Sequence, residues 1–191
     1  MKKTLFFLLS QEPVKDWART DWYSKDNASV SVKPKAVFMG DSITHGWYGT
    51  DPAFFTDNNY LGRGIGGQTT AQMLVRFRTD VINLHPKYVA IMAGTNDIAG
   101  NNGLISVDKM VENLISMCEL ARANKIKVAL CSVTPVNRYG WSKTMTGDPS
   151  PVIMELNAKL EAYAAKTKGV TYVDYFNALK SPSNGIRAEY T

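Results

Sequence analysis

Short apolar segments alternate with longer amphipathic segments along this chain. Five runs rich in β-forming residues predict strands, at Ala36–Met39, Asn59–Leu61, Tyr88–Ala93, Val128–Val133 and Val170–Val173. Between them, apolar residues at helical spacing predict helices, at Thr69–Thr79, Val107–Asn124 and Pro151–Lys166. Strands that alternate with helices favour a parallel sheet with helices on both faces. The chain is therefore predicted to be an α/β protein with a central five-stranded parallel sheet.

The composition of these segments supports a buried sheet. Tyr88–Ala93 is apolar or aromatic throughout, as expected of a strand that is covered on both faces. Val107–Asn124 places its apolar residues on one face, which suits a helix that lies on a sheet. In parallel α/β sheets, ligands bind beyond the carboxyl ends of the strands. Motifs that follow the strands are therefore the first candidates for function.

The first such motif is Gly40-Asp41-Ser42-Ile43-Thr44, directly after the first predicted strand. Gly40 permits a sharp turn, after which Ser42 falls where a helix could begin. The hydroxyl of a serine at that point is accessible, and the nearby backbone N–H groups favour developing negative charge. The ordinary alternative is that Asp41 or Ser42 only caps a helix, which is a common use of both residue types.

The second motif, residues 64–70, is Gly-Ile-Gly-Gly-Gln-Thr-Thr and follows the second predicted strand. Glycines allow the backbone to approach a ligand closely and to direct N–H groups at it. Gly62, Gly64 and Gly67 also match the G-x-G-x-x-G pattern of dinucleotide-binding loops. That pattern needs an acidic residue roughly 20 positions later, at the end of the next strand, and none occurs near Lys87. We therefore predict no nucleotide cofactor.

The third motif is Gly94-Thr95-Asn96-Asp97, at the end of the most apolar strand. A side-chain amide in this position offers two uncharged hydrogen-bond donors. Such a donor suits an oxyanion that forms only in a transition state. Taken alone, the same four residues are also typical of a turn.

Together, the three motifs resemble the conserved blocks of the SGNH (GDSL-type) hydrolases, and the resemblance extends from about Lys35 to the C-terminus. It implies a flavodoxin-like three-layer α/β/α sandwich, in which Ser42 is the nucleophile of a serine esterase. It also implies an oxyanion hole formed by the N–H groups of Ser42 and Gly67 and by the side chain of Asn96. No metal or organic cofactor is implied. Asp41, His45 and Asp97 are expected to line the substrate pocket.

The resemblance also implies a catalytic histidine in a late Asp-x-x-His block, yet the sequence contains no Asp-x-x-His. We expect residues 13–191 to form one hydrolase domain that lacks this block, because relatives continue into it after the equivalent of Thr191. Impaired hydrolysis would follow, since a serine needs a base. His85 precedes a strand and should lie roughly 20 Å from the site. His45 follows Ser42 by one helical turn and is the better substitute.

The implied reaction is cleavage of a small acyl ester, most simply acetyl, from a carbohydrate or a similar alcohol. The residues around Arg63-Gly64-Ile65-Gly66-Gly67 resemble the acetylhydrolase-like branch of the family. The aromatic residues Trp47, Tyr48, Phe54 and Phe55 could stack on a sugar or belong to the core. The alternative function is a non-catalytic carbohydrate-binding protein that retains the pocket.

Composition and the N-terminal segment bear on the partners, the cysteines and the localisation of the protein. The formal net charge of +5 is spread along the 191 residues without a basic stripe, so no nucleic-acid partner is expected. Cys118 and Cys131 lie among apolar residues and are predicted to be free, buried thiols. Lys2, Lys3 and the apolar run Leu5–Leu9 resemble the remnant of a secretion signal over residues 1–12, which favours an exported protein over a cytoplasmic one. No segment reaches the length of a membrane span.

Overall fold

The computed structural model describes residues 16–190, which contain a five-stranded, entirely parallel sheet. The strands are β1 (Ala36–Gly40), β2 (Tyr60–Gly64), β3 (Tyr88–Met92), β4 (Lys127–Cys131) and β5 (Val170–Val173). Their order across the sheet, β2-β1-β3-β4-β5, is the flavodoxin-like order that the resemblance implied. The chain reverses direction across the sheet between β1 and β3, and ligands bind at this switch point in open α/β sheets.

Helices connect the strands and cover both faces of the sheet. They are α1 (Ser24–Ala28), α2 (Ser42–Thr50), α3 (Pro52–Thr56), α4 (Thr70–Asp80), α5 (Thr95–Ile98), α6 (Val107–Ala123), α7 (Ser150–Lys166) and α8 (Tyr175–Leu179). Short 3₁₀ turns occur at Ile82–Leu84 and Ala188–Tyr190. The three helices predicted from the sequence are α4, α6 and α7, and each begins and ends within one residue of its predicted bounds.

The two faces of the sheet are covered to different degrees. One face packs against α4, α6 and α7, and its strand side chains are buried: Val37, Met39, Val89, Ile91, Val128 and Leu130. On the other face, Phe38, Ala90 and Met92 are only half-buried. Phe38 belongs to an aromatic cluster with residues of α2 and α3, which include Trp47, Phe54 and Phe55. Those three aromatic residues therefore serve the packing of this face.

Strand β2 is longer than the sequence predicts, since it extends from Tyr60 to Gly64 instead of ending at Leu61. Glycines weaken a strand signal because they contribute no side chain to pack. Gly64 has a specific reason to be glycine, because a Cβ there would lie 2.3 Å from the backbone nitrogen of His45 and 2.7 Å from the backbone oxygen of Asp41. This absence of a side chain lets β2 press directly against the start of α2.

Both cysteines are free and buried, as predicted. Burial raises the pKa of Cys118 and the pKa of Cys131 to about 12, so both are thiols at neutral pH. No helix within residues 16–190 is long and apolar enough to cross a membrane. The predicted secretion-signal remnant at residues 1–12 lies outside the described residues.

Candidate active site

Ser42 is the first residue of α2 and lies two residues after Gly40, the carboxyl end of β1. Asp41 caps this helix, because its Oδ1 accepts a hydrogen bond of 2.9 Å from the backbone N–H of Ile43. Asp41 is buried, whereas Ser42 is exposed. The capping interpretation of the motif thus applies to Asp41, and it leaves the Ser42 hydroxyl accessible at the positive end of a nine-residue helix.

The glycine loop after β2 runs beside Ser42. A Cβ built on Gly66 would lie 3.8 Å from the Cβ of Ser42, and no other heavy atom would lie within 4 Å of it. Gly67 has a φ of +79°, a left-handed conformation that glycine adopts without strain. The loop therefore brings bare backbone next to the serine.

Asn96 lies in α5, one residue after its start and close to the carboxyl end of β3. Its side chain is buried, and its Nδ2 donates a hydrogen bond of 3.0 Å to the backbone oxygen of Gln68. The same Nδ2 lies 3.5 Å from Oδ2 of Asp41. Asn96 therefore contacts both the glycine loop and the serine motif, and the three motifs meet at the switch point of the sheet.

Asn101 is a member of this site that the sequence did not indicate. Its Nδ2 donates to Oδ1 of Asn96 at 2.8 Å and to the backbone oxygen of Gly67 at 3.2 Å. A single amide thus holds both the second and the third motif. No local pattern distinguishes Asn101, because it lies in an irregular segment and its partners come from elsewhere in the chain.

Asp97 joins the third motif to α4. Its Oδ2 accepts from the backbone N–H of Thr70 at 2.9 Å, and its Oδ1 accepts from the Thr70 hydroxyl at 2.6 Å. The carboxylate is buried, which raises its pKa. Burial also raises the pKa of Asp41 to about 6, and the nearby charge of Asp97 acts in the same direction.

A buried arginine, Arg76, forms hydrogen bonds that link two segments of the site. The Nη2 of Arg76 donates to the backbone oxygen of Gly40 at 3.2 Å, and its Nε donates to the side chain of Gln68. Its charge is balanced by Asp80, which lies 2.9 Å from Nη1. Because both members of this ion pair are fully buried, the loss of one alone would be costly. Arg76 therefore ties the end of β1 to the glycine loop.

The two histidines lie in different parts of the molecule. His45 is exposed on α2, and its ring lies 6.4 Å from the ring of Trp22. His85 precedes β3 at the amino end of the sheet, in a surface hollow that it shares with Lys33 and Lys35. Among residues 16–190, no cluster of His, Cys, Asp or Glu side chains is suited to hold a metal ion.

A flavodoxin-like sheet with a serine, a glycine loop and an asparagine at three adjacent strand ends is the arrangement of the SGNH hydrolases. The family model for GDSL-like lipases and acylhydrolases matches residues 38–190, and the chain belongs to this family.

Solved structures from two Bacteroides species are similar over most of their length. A candidate acylhydrolase from Bacteroides fragilis NCTC 9343 is 48% identical, with a TM-score of 0.88 over 93% of this chain and 86% of that one. A GDSL-like lipase from Bacteroides thetaiotaomicron VPI-5482 is 44% identical, with a TM-score of 0.86 over 91% of this chain and 86% of that one.

A relative from another organism matches over a shorter stretch. The uncharacterized lipoprotein YqeF of Bacillus subtilis (strain 168) is 42% identical over 79 residues, which are 40% of this chain. The matched part is 32% of YqeF, so the similarity spans about a third of that lipoprotein.

Proposed function

We propose that the protein is a carboxylic ester hydrolase that acts through an acyl-enzyme on Ser42. The main support is the position of Asn96, whose side-chain amide is within 3.5 Å of both the serine motif and the glycine loop. In acyl transfer, the donors must lie about 3 Å from the position that the oxyanion takes up when the nucleophile attacks the neighbouring carbon. Membership of the GDSL-like family makes an acyl ester the expected substrate.

The proposed reaction has two steps. The Oγ of Ser42 forms a bond to the ester carbonyl carbon while a base takes its proton, and the alcohol then leaves with a proton. Water attacks the acyl-enzyme, releases the acid and restores the serine. The negative charge on the carbonyl oxygen is stabilised in both steps by the N–H groups of Ser42 and Gly67 and by the amide of Asn96.

The nucleophile is tested with p-nitrophenyl acetate. Ser42→Ala should abolish the enzyme-dependent release of nitrophenol, whereas Ser183→Ala, which alters an exposed serine near the C-terminus, should not change it. In the protein extended with a C-terminal Asp-x-x-His segment, Asn96→Ala should lower kcat by roughly 10² to 10³ with little change in KM, because the lost hydrogen bond forms mainly in the transition state. An Asn96→Ala protein with unchanged kcat would contradict the proposed oxyanion hole.

We also propose that residues 1–191 hydrolyse esters slowly by themselves. The sequence contains two histidines; His45 is exposed beside Trp22, and His85 lies at the amino end of the sheet. Loss of the base from a serine triad costs on the order of 10⁶ in turnover. Adding a C-terminal Asp-x-x-His segment should therefore raise kcat by several orders of magnitude. Equal rates for the two proteins would show that the base lies within residues 1–191.

The finer proposal for the substrate is a small acyl group, most simply acetyl, on a carbohydrate. The acyl group is tested by comparing kcat/KM for the acetyl and octanoyl esters of nitrophenol. The alcohol is tested by comparing the binding of acetylated and free oligosaccharides. A preference for the octanoyl ester in kcat/KM would reject the acetyl proposal.

A second candidate is a carbohydrate-binding protein without catalysis. It is favoured by the positions of the two histidines, because the ring of His45 is exposed beside Trp22 and His85 lies in a surface hollow at the amino end of the sheet. Such a protein would show no burst with p-nitrophenyl acetate and would bind an acylated sugar equally well after Ser42→Ala. A burst of nitrophenol equal to the enzyme concentration would exclude it.

Export is proposed on two grounds. Lys2, Lys3 and the run Leu5–Leu9 resemble part of a secretion signal, and the partly similar YqeF is a lipoprotein. Fractionation of cells that express the gene is the test, and recovery of the protein in the cytoplasm alone would contradict export.

A further inference from the structure

A groove with a volume of about 550 Å³ runs along the outer edge of β2, beside the candidate active site. Its floor includes Gly62 and Gly64 of β2. One wall comes from α2 and the other from residues 22–32, which lie before β1. The volume falls within the range of roughly 300–1,000 Å³ that is usual for small-molecule sites.

The groove is lined by residues that are close to Ser42 along the chain, although Ser42 itself does not line it. His45, which lines the groove, follows Ser42 by one turn of α2. Gly64, also in the groove, precedes Gly66, and Gly66 lies beside the Cβ of Ser42. A molecule that occupies the groove would therefore extend from the edge of the sheet toward the serine.

Two large aromatic side chains on opposite walls are exposed. Trp22 is 51% exposed and Tyr48 is 46% exposed. Tyr48 lies over the floor, since its ring and Cβ would come within 3.4 Å of a Cβ on Gly62. Rings of this kind provide flat apolar surface at a low cost in conformational entropy. The walls are thus suited to a ligand that has flat, C–H-rich faces.

Polar groups accompany these aromatic rings. Asp26, His45 and Asn59 line the groove and are exposed, so both hydrogen-bond donors and acceptors face its interior. Arg63 is buried and fixed, because its Nε donates to Asn27 at 2.8 Å and its Nη1 donates to the backbone oxygen of Gly62 at 2.8 Å. Orientation of a ligand by a few polar groups between apolar walls is typical of a specific site.

The charges around the groove disfavour a cationic ligand. Arg19 lies 5.1 Å from the ring centre of Trp22, and Arg63 lies 4.7 Å from that of Tyr23. Asp26 is the single carboxylate among the groove-lining residues, and these two arginines outnumber it, so the surrounding charge does not favour a ligand cation. A long acyl chain is also disfavoured, because it would desolvate Asp26 without offering a hydrogen bond. A neutral, hydroxyl-rich ring satisfies both conditions.

We propose that this groove, lined by Trp22, Tyr48 and Asp26, binds the sugar rings of a neutral oligosaccharide. The proposal rests on the proposed function only for the orientation of the sugar chain, whose acylated unit would lie at Ser42. The sugar rings stack on Trp22 and Tyr48, and their hydroxyl groups bond to the polar residues between them. The alcohol part of the substrate is thereby recognised apart from the acyl group.

The test measures binding to the Ser42→Ala protein, in which turnover cannot interfere. Xylotetraose and cellotetraose are titrated by calorimetry and by tryptophan fluorescence, with choline chloride as the cationic comparison. At least one tetrasaccharide should bind with a Kd in the millimolar range or below, and choline should not. Trp22→Ala and Tyr48→Ala should each weaken this binding about tenfold or more, whereas Trp22→Phe should retain most of it.

Trp141→Ala is the matched control, because Trp141 is 59% exposed and does not line the groove. Loss of sugar binding in this variant but not in Trp22→Ala would overturn the proposed location. Binding of choline but of neither tetrasaccharide would overturn the proposed chemistry, and binding of no probe would overturn the site. If a sugar binds while p-nitrophenyl acetate is hydrolysed neither by residues 1–191 nor by the protein extended with an Asp-x-x-His segment, the groove stands and the esterase proposal fails. If p-nitrophenyl acetate is hydrolysed but no sugar binds, the esterase proposal stands and the groove proposal fails.

Discussion

At the scale of single residues, two effects act on Asp41 in opposite directions: capping of α2 favours its ionised form, and burial disfavours it. Its carboxylate caps α2 through Ile43, but it is buried close to Asp97, and its pKa is raised to about 6. In the unfolded chain the same group should titrate near 3.9. The folded state therefore holds the proton more tightly between these pH values. The contribution of Asp41 to stability falls as the pH rises from about 4 to about 6, and it stays low above that.

Asp41→Asn should remove this penalty. The amide oxygen can still accept the hydrogen bond from Ile43, and the side chain no longer ionises. We expect the variant to be more stable than the wild type by about 1–3 kcal/mol at pH 7 and similar to it below pH 4. Urea unfolding over pH 4–8 measures the difference. Parallel stability curves for the two proteins would mean that Asp41 is ionised in the fold without cost.

At the scale of elements, the contact between β2 and α2 fixes the start of the helix that carries Ser42. Gly64→Ala would place a methyl group 2.3 Å from the backbone nitrogen of His45, so the strand or the helix must move. We expect a loss of about 1–3 kcal/mol in the free energy of unfolding. The midpoint temperature of thermal unfolding and the rate of p-nitrophenyl acetate hydrolysis should both decrease.

Gly46→Ala is the control for this prediction. Gly46 lies in α2, and a Cβ there would meet no heavy atom within 4 Å. Replacement of an exposed helical glycine by alanine should stabilise the helix by up to about 1 kcal/mol. If Gly64→Ala were tolerated as well as Gly46→Ala, the close approach of β2 would not be what positions α2.

The regular elements were predictable because their signals are local. The apolar spacing of α4, α6 and α7 and the apolar runs of the strands are read within a few residues. The three strand-end motifs were equally visible, since each lies in one continuous stretch. Asn101 was not predictable, because its role depends on contacts with Gly67 and Asn96 through an irregular loop. The groove wall at Trp22 was missed for the same reason, since it lies 23 positions before His45 and carries no motif.

At the scale of the whole molecule, the unequal cover of the two sheet faces should affect the cysteines. Cys118 lies in the core on the fully covered face and is completely buried. Cys131 lines an apolar cavity of about 160 Å³ on the other face, next to the five-residue helix α8. A helix this short has few contacts and should open locally more often than the long helices.

We therefore expect Cys131 to react with iodoacetamide faster than Cys118 in the native protein. Both reactions should be slow at pH 8, because the pKa of each thiol is about 12. Peptide mass spectrometry follows each site, and the Cys118→Ala and Cys131→Ala variants confirm the assignment. Equal labelling rates would indicate that both thiols become accessible only when the whole protein unfolds.

The glycines of β2 bear on how such a protein could diversify. Gly64 is constrained by the backbone on which it packs, and Gly62 by the ring of Tyr48, so the floor of the groove has little freedom to accept mutations. Trp22, in contrast, is exposed and lies outside the hydrophobic core, so it can be replaced with little effect on the core. Descendants of one ancestral scaffold could then exchange ligands by changing the walls alone, while the strand beneath them stays the same.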